Sequence, residues 1–517
     1  VQEVCNMNRW ELQTIRDFWL NAQKQYPTNT AAVFEGRSWT FRECDELVEN
    51  LRSHLVRDFD VQKGDTVAML LPNCFAYFTA YWATVKIGAI VTPVNTRLRA
   101  TELEHVVANS EANVVFVHAD CWAEARETLA GVPQILRFIT VGFEEEESAC
   151  FEKLIAANAG PVDDPAIAGE DVAILMHTSG TTGKPKGAVM RNCDLLFNVK
   201  CAIIAQSFRH EDIHLLVVPM FHATALYSML PSCAYLGSTV VITPESNVRE
   251  LAKLIAQHRV TTFFGVPTMF HFLATLKGLD EFDLSSLRLI AYAGSTMPPS
   301  TIQRLRERVP GVALHNFFGL TETISMTHVL PSEDAIERGS SIGKPLPEVW
   351  TRIIDENGNE LPRGEIGELC FKRENVVQYY WNQPGLLDES ITDGWFRTGD
   401  LALIDEDGYV YLKGRRKEMI IVGGENVYAL EVEQVILQHE KVHEVAVVGV
   451  EATGVRTYLG ELVKAVVVPK PGESLAELEI KRHCAERLAS YKVPQLVEFR
   501  DELPRNPTGK VLKRDLL

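Results

Sequence analysis

No run of apolar residues in this chain of 517 approaches the roughly 20 that a membrane-spanning helix needs. The ten cysteines, scattered from Cys5 to Cys484, contain no Cys-x-x-Cys pair. That spacing indicates neither a zinc site nor a disulfide framework, and a reducing cytoplasm is the natural setting. The N-terminal stretch, with Glu3, Asn8 and Arg9 among scattered apolar residues, lacks the layout of a signal peptide, and the missing initiator Met points to trimming or a shortened chain. Positive charge is scarce: 51 Lys and Arg against 69 Asp and Glu leave a net charge of −18. Such a surface argues against nucleic acid or anionic membrane as a partner. There is no internal repeat, and the one biased tract, 144–147, is expected as a solvated acidic loop.

What is present is the composition of a soluble globular protein, 46% hydrophobic and 23% charged, in a chain too long for one core. Two or three domains are expected. Short β-rich runs recur at 66–71, 113–117, 172–176, 214–219, 239–243, 261–265 and 288–293, with helix-like stretches such as 251–258 and 301–309 between them. Buried strands alternating with helices predict parallel sheets flanked by helices up to about residue 330. From Thr351 to Tyr411 the texture changes to short alternating strands, with 355–358 and 405–408 as hairpin turns. Beyond Gly414 a small α/β unit is expected, with strands at 444–450 and 462–468 and a helix opened by Ser474 and Glu477 as a capping box and running to about Ala489. The fold class is therefore α/β: a large N-terminal part, residues 1–414, containing helix-flanked sheets and a small β-barrel-like portion, followed by a small mobile α/β domain, residues 415–517.

Against the acidic background two basic clusters stand out. Lys413, Arg415, Arg416 and Lys417 form one, and Arg505, Lys510, Lys513 and Arg514 the other. Solvated surfaces are one reading of them, and a polyanionic small ligand is the other. Directly after the strand at 172–176 comes Thr178, Ser179, Gly180, Thr181, Thr182, Gly183, Lys184, Pro185, Lys186 and Gly187. Glycines and hydroxyl residues at this density make a loop rich in N–H and O–H donors for phosphate oxygens, and Lys184 and Lys186 add charge for the β- and γ-phosphates. It is not a P-loop: the spacing from Gly180 to Gly183 is two residues short, and Pro185 stands where the Mg2+-binding Ser or Thr would be.

Here the chain resembles the adenylate-forming superfamily of acyl-CoA synthetases, peptide-synthetase adenylation domains and firefly-type luciferases. The loop is similar to that family's signature, and five further motifs follow in order: Phe318-Gly-Leu-Thr-Glu322, Gly364-Glu-Ile-Gly-Glu368, Trp395-Phe-Arg-Thr-Gly-Asp400, Gly414-Arg-Arg-Lys-Glu418 and Leu503-Pro-Arg-Asn-Pro-Thr-Gly-Lys510. Phe318 departs from the commoner Tyr. The likeness runs from about Thr40 to the C-terminus, and 88–98 is most similar to fatty-acyl and related CoA ligases.

The resemblance implies roles residue by residue. Asp400 would accept both ribose hydroxyls, with Arg415 as a ribose or phosphate contact. Thr321 would touch phosphate, and Glu322 would be the Mg2+-associated carboxylate, one carboxylate plus substrate phosphates being enough for this ion. Gly294, Ser295, Asn316, Phe317, Phe318 and Gly319 match segments around the nucleotide. Lys510 matches the adenylation lysine: attack of a carboxylate on the α-phosphate joins two anions, and a mobile ammonium offsets the repulsion. Lys417 matches the hinge of a swivelling domain, and Gly423 with Gly424 the lining of a thiol tunnel. His222 matches the residue beside the reacting carboxylate.

The acyl pocket is expected from Thr224, Phe264, Gly265, Val266, Ala293, Gly319, Leu320 and Ile324, together with His222. No acidic residue lies between Pro219 and Val241 to bind an α-ammonium, which disfavours amino acids. A largely apolar lining favours a fatty or aryl acid over a dicarboxylate. The implied activity is an ATP- and Mg2+-dependent carboxylic acid:CoA ligase with coenzyme A as co-substrate. A fatty acid of medium or long chain, or another apolar acid, is the expected substrate. The alternatives are an enzyme that loads a carrier protein and an aryl-acid:CoA ligase. The resemblance also admits a homodimer.

Overall fold

Val, Ile and aromatic residues crowd the short runs between Gly, Pro and Asn, and in a computed structural model each run becomes a buried strand. The structure describes residues 13–132, 134, 137–178, 185–423, 425–453, 460–507 and 509–517. It divides into two units: one reaches to Trp350 and includes Lys372–Ser390, and the other joins Thr351–Phe371 to Ile391–Leu517.

Among the described residues the first unit holds two sheets. A nine-stranded sheet runs in the order Lys344–Pro345, Ser325–Leu330, Ala313–Leu320, Leu289–Tyr292, Thr262–Gly265, Ile213–Leu216, Thr239–Ile242, Thr30–Phe34, Arg37–Thr40. A seven-stranded sheet runs Ala149–Cys150, Arg137–Val141, Val114–His118, Thr66–Leu70, Ile90–Pro93, Val172–Thr178, Lys186–Arg191. The expected parallel pairing holds through both interiors. At both edges of the nine-stranded sheet, and at the Lys186–Arg191 edge of the seven-stranded one, it turns antiparallel. An apolar run carries no strand direction, so this reversal is a finding of the structure. The strand expected to extend to Pro219 stops at Leu216.

Helix Phe75–Ile87 is buried at every position, as an apolar-all-round sequence requires. Its Trp82 stacks on Trp19 at 4.6 Å. The preceding helix, Phe41–Arg57, starts on a capping box in which Thr40 and Glu43 satisfy each other's backbone N–H. The core of the nine-stranded sheet gathers Leu215, Phe263, Ile290 and Leu314 against Leu251, Ile255 and Phe270 from its covering helices.

The second unit begins at Thr351, where the sequence changes texture. Its first part is a five-stranded sheet of Thr351–Ile354, Gly367–Lys372, Trp395–Ile404, Ile391–Thr392 and Val410–Arg415. Both expected turns are present, closed by Gly358 N–H to Asp355 O and Gly408 N–H to Asp405 O, with positive φ at each glycine. Its second part has the expected strands at Val442–Glu451 and Glu461–Pro469, paired antiparallel. The helix there corrects the expectation: it spans Glu477–Ala485, with Ala476 as N-cap. The Glu479 carboxylate accepts from Ala476 N–H at 2.7 Å, so the cap lies two residues beyond Ser474. This phase buries Ile480 and Cys484, four apart on one face.

Among the described residues nine cysteines are present and all are free thiols. Burial is the leading cause that raises the pKa of every one of them, Cys74, Cys201, Cys233 and Cys370 to about 12.

Candidate active site

Strand Ile213–Leu216 has Thr239–Ile242 on one side and Thr262–Gly265 on the other, so the order of the nine-stranded sheet reverses there. A crevice opens at the carboxyl ends of parallel strands at such a switch point. Residues expected from sequence lie at those ends: His222 and Thr224 follow Ile213–Leu216, Gly265 and Val266 end or follow Thr262–Gly265, and Ala293, Gly294 and Ser295 follow Leu289–Tyr292. Asn316 through Leu320 close Ala313–Leu320.

Asn73, which sequence reasoning missed, anchors this end of the sheet. Its buried amide nitrogen donates to the carbonyls of Leu216, Val218 and Thr243 at 3.1–3.2 Å, and its oxygen accepts from Met220 N–H at 2.7 Å. It thereby shapes the segment leading to His222. Burial, with Arg97 adding to it, lowers the His222 pKa to about 4, so the ring is neutral at physiological pH. Thr224 then opens a π-helical stretch, Thr224–Met229, a rare backbone form that often marks functional sites.

The two ends of the glycine- and hydroxyl-rich motif lie on paired strands. Thr178 pairs with Lys186 and His177 with Gly187 across antiparallel strands. Ser179, Gly180, Thr181, Thr182, Gly183 and Lys184 lie outside the described residues, as does Gly424. Gly187 is closely packed: a Cβ there would sit 2.8 Å from Leu175 Cδ1 and 3.2 Å from Trp381 Cβ, so either neighbour would have to shift.

A hairpin turn, 321–324, carries Thr321 and Glu322 between Ala313–Leu320 and Ser325–Leu330. Its last residue, Ile324, takes φ +59°, a strained conformation for a β-branched residue. Asn198 Nδ2 holds the Ile324 carbonyl at 2.6 Å, and Ile324 N–H bonds Thr321 O at 3.1 Å. The Glu322 carboxylate accepts from the Tyr380 hydroxyl at 3.0 Å, and the Glu322 carbonyl accepts from Val377 N–H at 2.8 Å. Burial, with Glu322 beside it, raises the Tyr380 pKa, so the phenol keeps its proton and donates. The same ring lies under Lys186, whose Nζ is 5.1 Å from its centroid. Tyr380 carries no motif that would have revealed it.

The remaining expected residues of this unit fall into two groups. Gly294, with φ +89°, Ser295 and Val266 are exposed at the strand ends, and Thr224, Gly265, Ala293, Gly319, Leu320 and Phe318 are half-buried. Phe264 and Ile324 are buried instead. Phe264 packs between Phe208 at 5.6 Å and Phe317 at 5.7 Å, so its ring belongs to the core beneath the strand ends. Asn316 is buried too, its amide donating to Ser341 O at 3.1 Å.

In the second unit Asp400 faces Arg415 across the sheet, with Arg415 Nε 2.6 Å from its carboxylate. Glu368, within a motif but without an assigned role, organises this turn: it accepts from Gly399 N–H at 2.9 Å and pairs with Arg397 and Arg416. Burial pushes the Asp400 pKa up to about 6, against the pull of Arg415 and Lys510. Lys510 is presented by a loop in which its N–H meets Asn506 Oδ1 at 2.8 Å. Its ammonium, set among Arg415, Glu418 and Asp400, is partly desolvated, which lowers its pKa, and Arg415 lowers it further. The two basic clusters therefore converge. Lys513, from the second, bridges Glu418 at 2.7 Å and Glu433 at 2.8 Å, next to exposed Lys417 of the first. Gly423, with φ +61°, turns the hairpin between Met419–Val422 and Glu425–Tyr428.

The strand ends at the switch point, the hairpin tied to Glu322 through Tyr380, and Asp400 with Arg415 and Lys510 are the parts of the two units that carry the motifs of a nucleotide-dependent activating enzyme. The chain belongs to the AMP-binding enzyme family, which matches residues 19–381, with the AMP-binding enzyme C-terminal domain matching 431–510. It is 36% identical to a feruloyl-CoA synthase of an Amycolatopsis species, covering 95% of this chain and 96% of the relative. It is 32% identical to a long-chain-fatty-acid–CoA ligase of Escherichia coli, covering 98% and 94%. A solved anthranilate CoA ligase in complex with anthranoyl-AMP superposes with a TM-score of 0.89 at 27% identity, covering 97% and 96%.

Proposed function

We propose that this chain joins a carboxylic acid to coenzyme A in two steps through an acyl-adenylate. The observation that carries this reading is the convergence of Asp400, Arg415 and Lys510. A ribose held on Asp400 brings its 5′-phosphate close to the Lys510 ammonium. The acid's carboxylate oxygen attacks the α-phosphorus, the bond to the β-phosphate bridging oxygen breaks, and pyrophosphate leaves. Lys510 offsets the charge gathering on the α-phosphoryl oxygens. Thr178, the loop 179–184 and Lys186 hold the outgoing phosphates, and neutral His222 borders the carboxylate. In the second step the thiol sulfur of coenzyme A attacks the acyl carbonyl and AMP departs.

Glu322 fits Mg2+ by its donor chemistry: a carboxylate with one oxygen bonded to Tyr380 and the other available. Among the described residues no group of three or more His, Cys, Asp or Glu forms a metal cage, and an ion held largely by phosphate oxygens needs none. When bound, Mg2+ neutralises phosphate charge. Residues 415–517 would swivel about Lys417 between the steps, withdrawing Lys510 and bringing Gly423 and Gly424 toward the thiol. The half-buried strand ends and the apolar pocket-lining set favour a fatty or aryl acid. The feruloyl and long-chain relatives support one of each.

Among the described residues no helix is long and apolar enough to cross a membrane. The free cysteines support a reducing, cytoplasmic setting. A homodimer is to be tested by sedimentation.

The test is pyrophosphate release across a panel of fatty, aryl and dicarboxylic acids, with AMP and thioester followed on adding coenzyme A. Lys510→Ala is expected to abolish pyrophosphate release while largely sparing thioester formation from supplied acyl-AMP. Equal loss of both steps would refute its role, and acyl transfer to a carrier protein but not to coenzyme A would reassign the acceptor.

A further inference from the structure

We propose that Tyr380 is a positioning residue that sets the spacing between the phosphate hairpin and the metal-associated carboxylate. This rests on the reading of Glu322 given above. A glutamate on a hairpin turn has three rotatable side-chain bonds, and in water its carboxylate would sample several positions. Here it is fixed at both ends, by Val377 N–H on its carbonyl and by the Tyr380 hydroxyl on Oε1. The segment that does this also grips the other hairpin. Trp381 N–H donates to Gly187 O at 2.7 Å, Val189 N–H reaches Tyr379 O, and Tyr380 bridges Ala188 in antiparallel fashion.

The ring itself completes the link. One aromatic side chain touches a cation on its face, Lys186, and an anion through its hydroxyl, Glu322. The two groups have opposite charge and would quench each other if they met. Each holds to Tyr380 instead, leaving one Glu322 oxygen for a cation and the Lys186 ammonium for phosphate. Partners that orient a metal-binding carboxylate typically change metal affinity by about tenfold or more when removed.

Two substitutions separate the contributions. Tyr380→Phe deletes the hydroxyl and keeps the platform for Lys186, whereas Tyr380→Leu deletes both. The full-length protein is titrated with Mn2+ in the presence of a non-hydrolysable ATP analogue, with free Mn2+ read by electron paramagnetic resonance. Mg2+ dependence of pyrophosphate release is measured in parallel. Tyr380→Phe is expected to weaken cation binding about tenfold, with unchanged KM for the acid and unchanged thioester formation from supplied acyl-AMP. Tyr380→Leu is expected to raise the KM for ATP as well. Wild-type Mn2+ affinity in Tyr380→Phe would overturn the proposal, as would equal loss of both half-reactions. If the wild-type protein releases no pyrophosphate with any acid, the functional reading fails on its own, and the Mn2+ titration still decides the role of Tyr380.

Discussion

In the role proposed for it, Asp400 meets two opposing demands. To hold a ribose its carboxylate must be ionised, yet burial lifts its pKa to about 6. As pH falls through that value the carboxyl takes up a proton and stops accepting from one hydroxyl. The KM for ATP is therefore expected to rise between about pH 7 and about pH 5, a window set by that pKa. In Asp400→Asn it should be high and nearly flat. A wild-type profile with no inflection near 6 would remove Asp400 from the nucleotide site. Stability follows from the same shift. The folded state binds this proton more tightly than the unfolded chain, so the contribution is full below the unfolded pKa and is lost as pH rises through about 6. Asp400→Asn should accordingly melt higher than wild type above neutrality, with the advantage disappearing in acid. Binding geometry is thus maintained at some expense of stability, as often at functional sites.

At the scale of elements, two strand pairs flank the motif residues, Val172–Thr178 with Lys186–Arg191 and Ala313–Leu320 with Ser325–Leu330, and both are antiparallel pairs toward the edges of otherwise parallel sheet interiors. Asn73 supports the crevice differently, by satisfying carbonyls at the switch point. Asn73→Ala would leave Met220 N–H and several carbonyls without this partner, at a cost of about 2–4 kcal/mol. Urea denaturation measures the loss, and a higher KM for the acid is expected alongside; an unchanged midpoint would show that water replaces the amide.

These elements were unequally legible in the sequence. Strands such as Val114–His118 and Leu289–Tyr292 announce themselves as unbroken apolar runs, because burial on both faces demands it. Their direction does not, since an apolar run reads the same either way. The helix at 477–485 was misphased because Ser474 with Glu477 and Ala476 with Glu479 offer competing starts, and the buried pair Ile480 and Cys484 decides between them. Asp400, Glu322 and Lys510 were legible because each sits inside a contiguous motif. Tyr380 was not, because its partner Glu322 is 58 residues away and only the folded hairpins bring them together.

For the molecule as a whole, the proposed swivel makes a demand on Lys417, which is exposed in a short 3-10 turn, Arg416–Glu418. A proline there fixes φ near about −65° and limits rotation. Lys417→Pro is expected to spare pyrophosphate release and slow thioester formation by at least about tenfold, the size of a modest barrier increase of about 1.4 kcal/mol. Quenched-flow measurement of the two half-reactions checks this, and equal rates in variant and wild type would place the hinge elsewhere.

The thiols have a consequence of their own. A protein that generates an acyl-phosphate anhydride, and then a thioester, holds potent acylating agents beside its own side chains. The thiolate is the form that such agents acylate, and burial raises the pKa of all nine described cysteines. Near neutral pH these nine sulfurs stay protonated and poorly nucleophilic, so the packing that buries them also guards them against acylation.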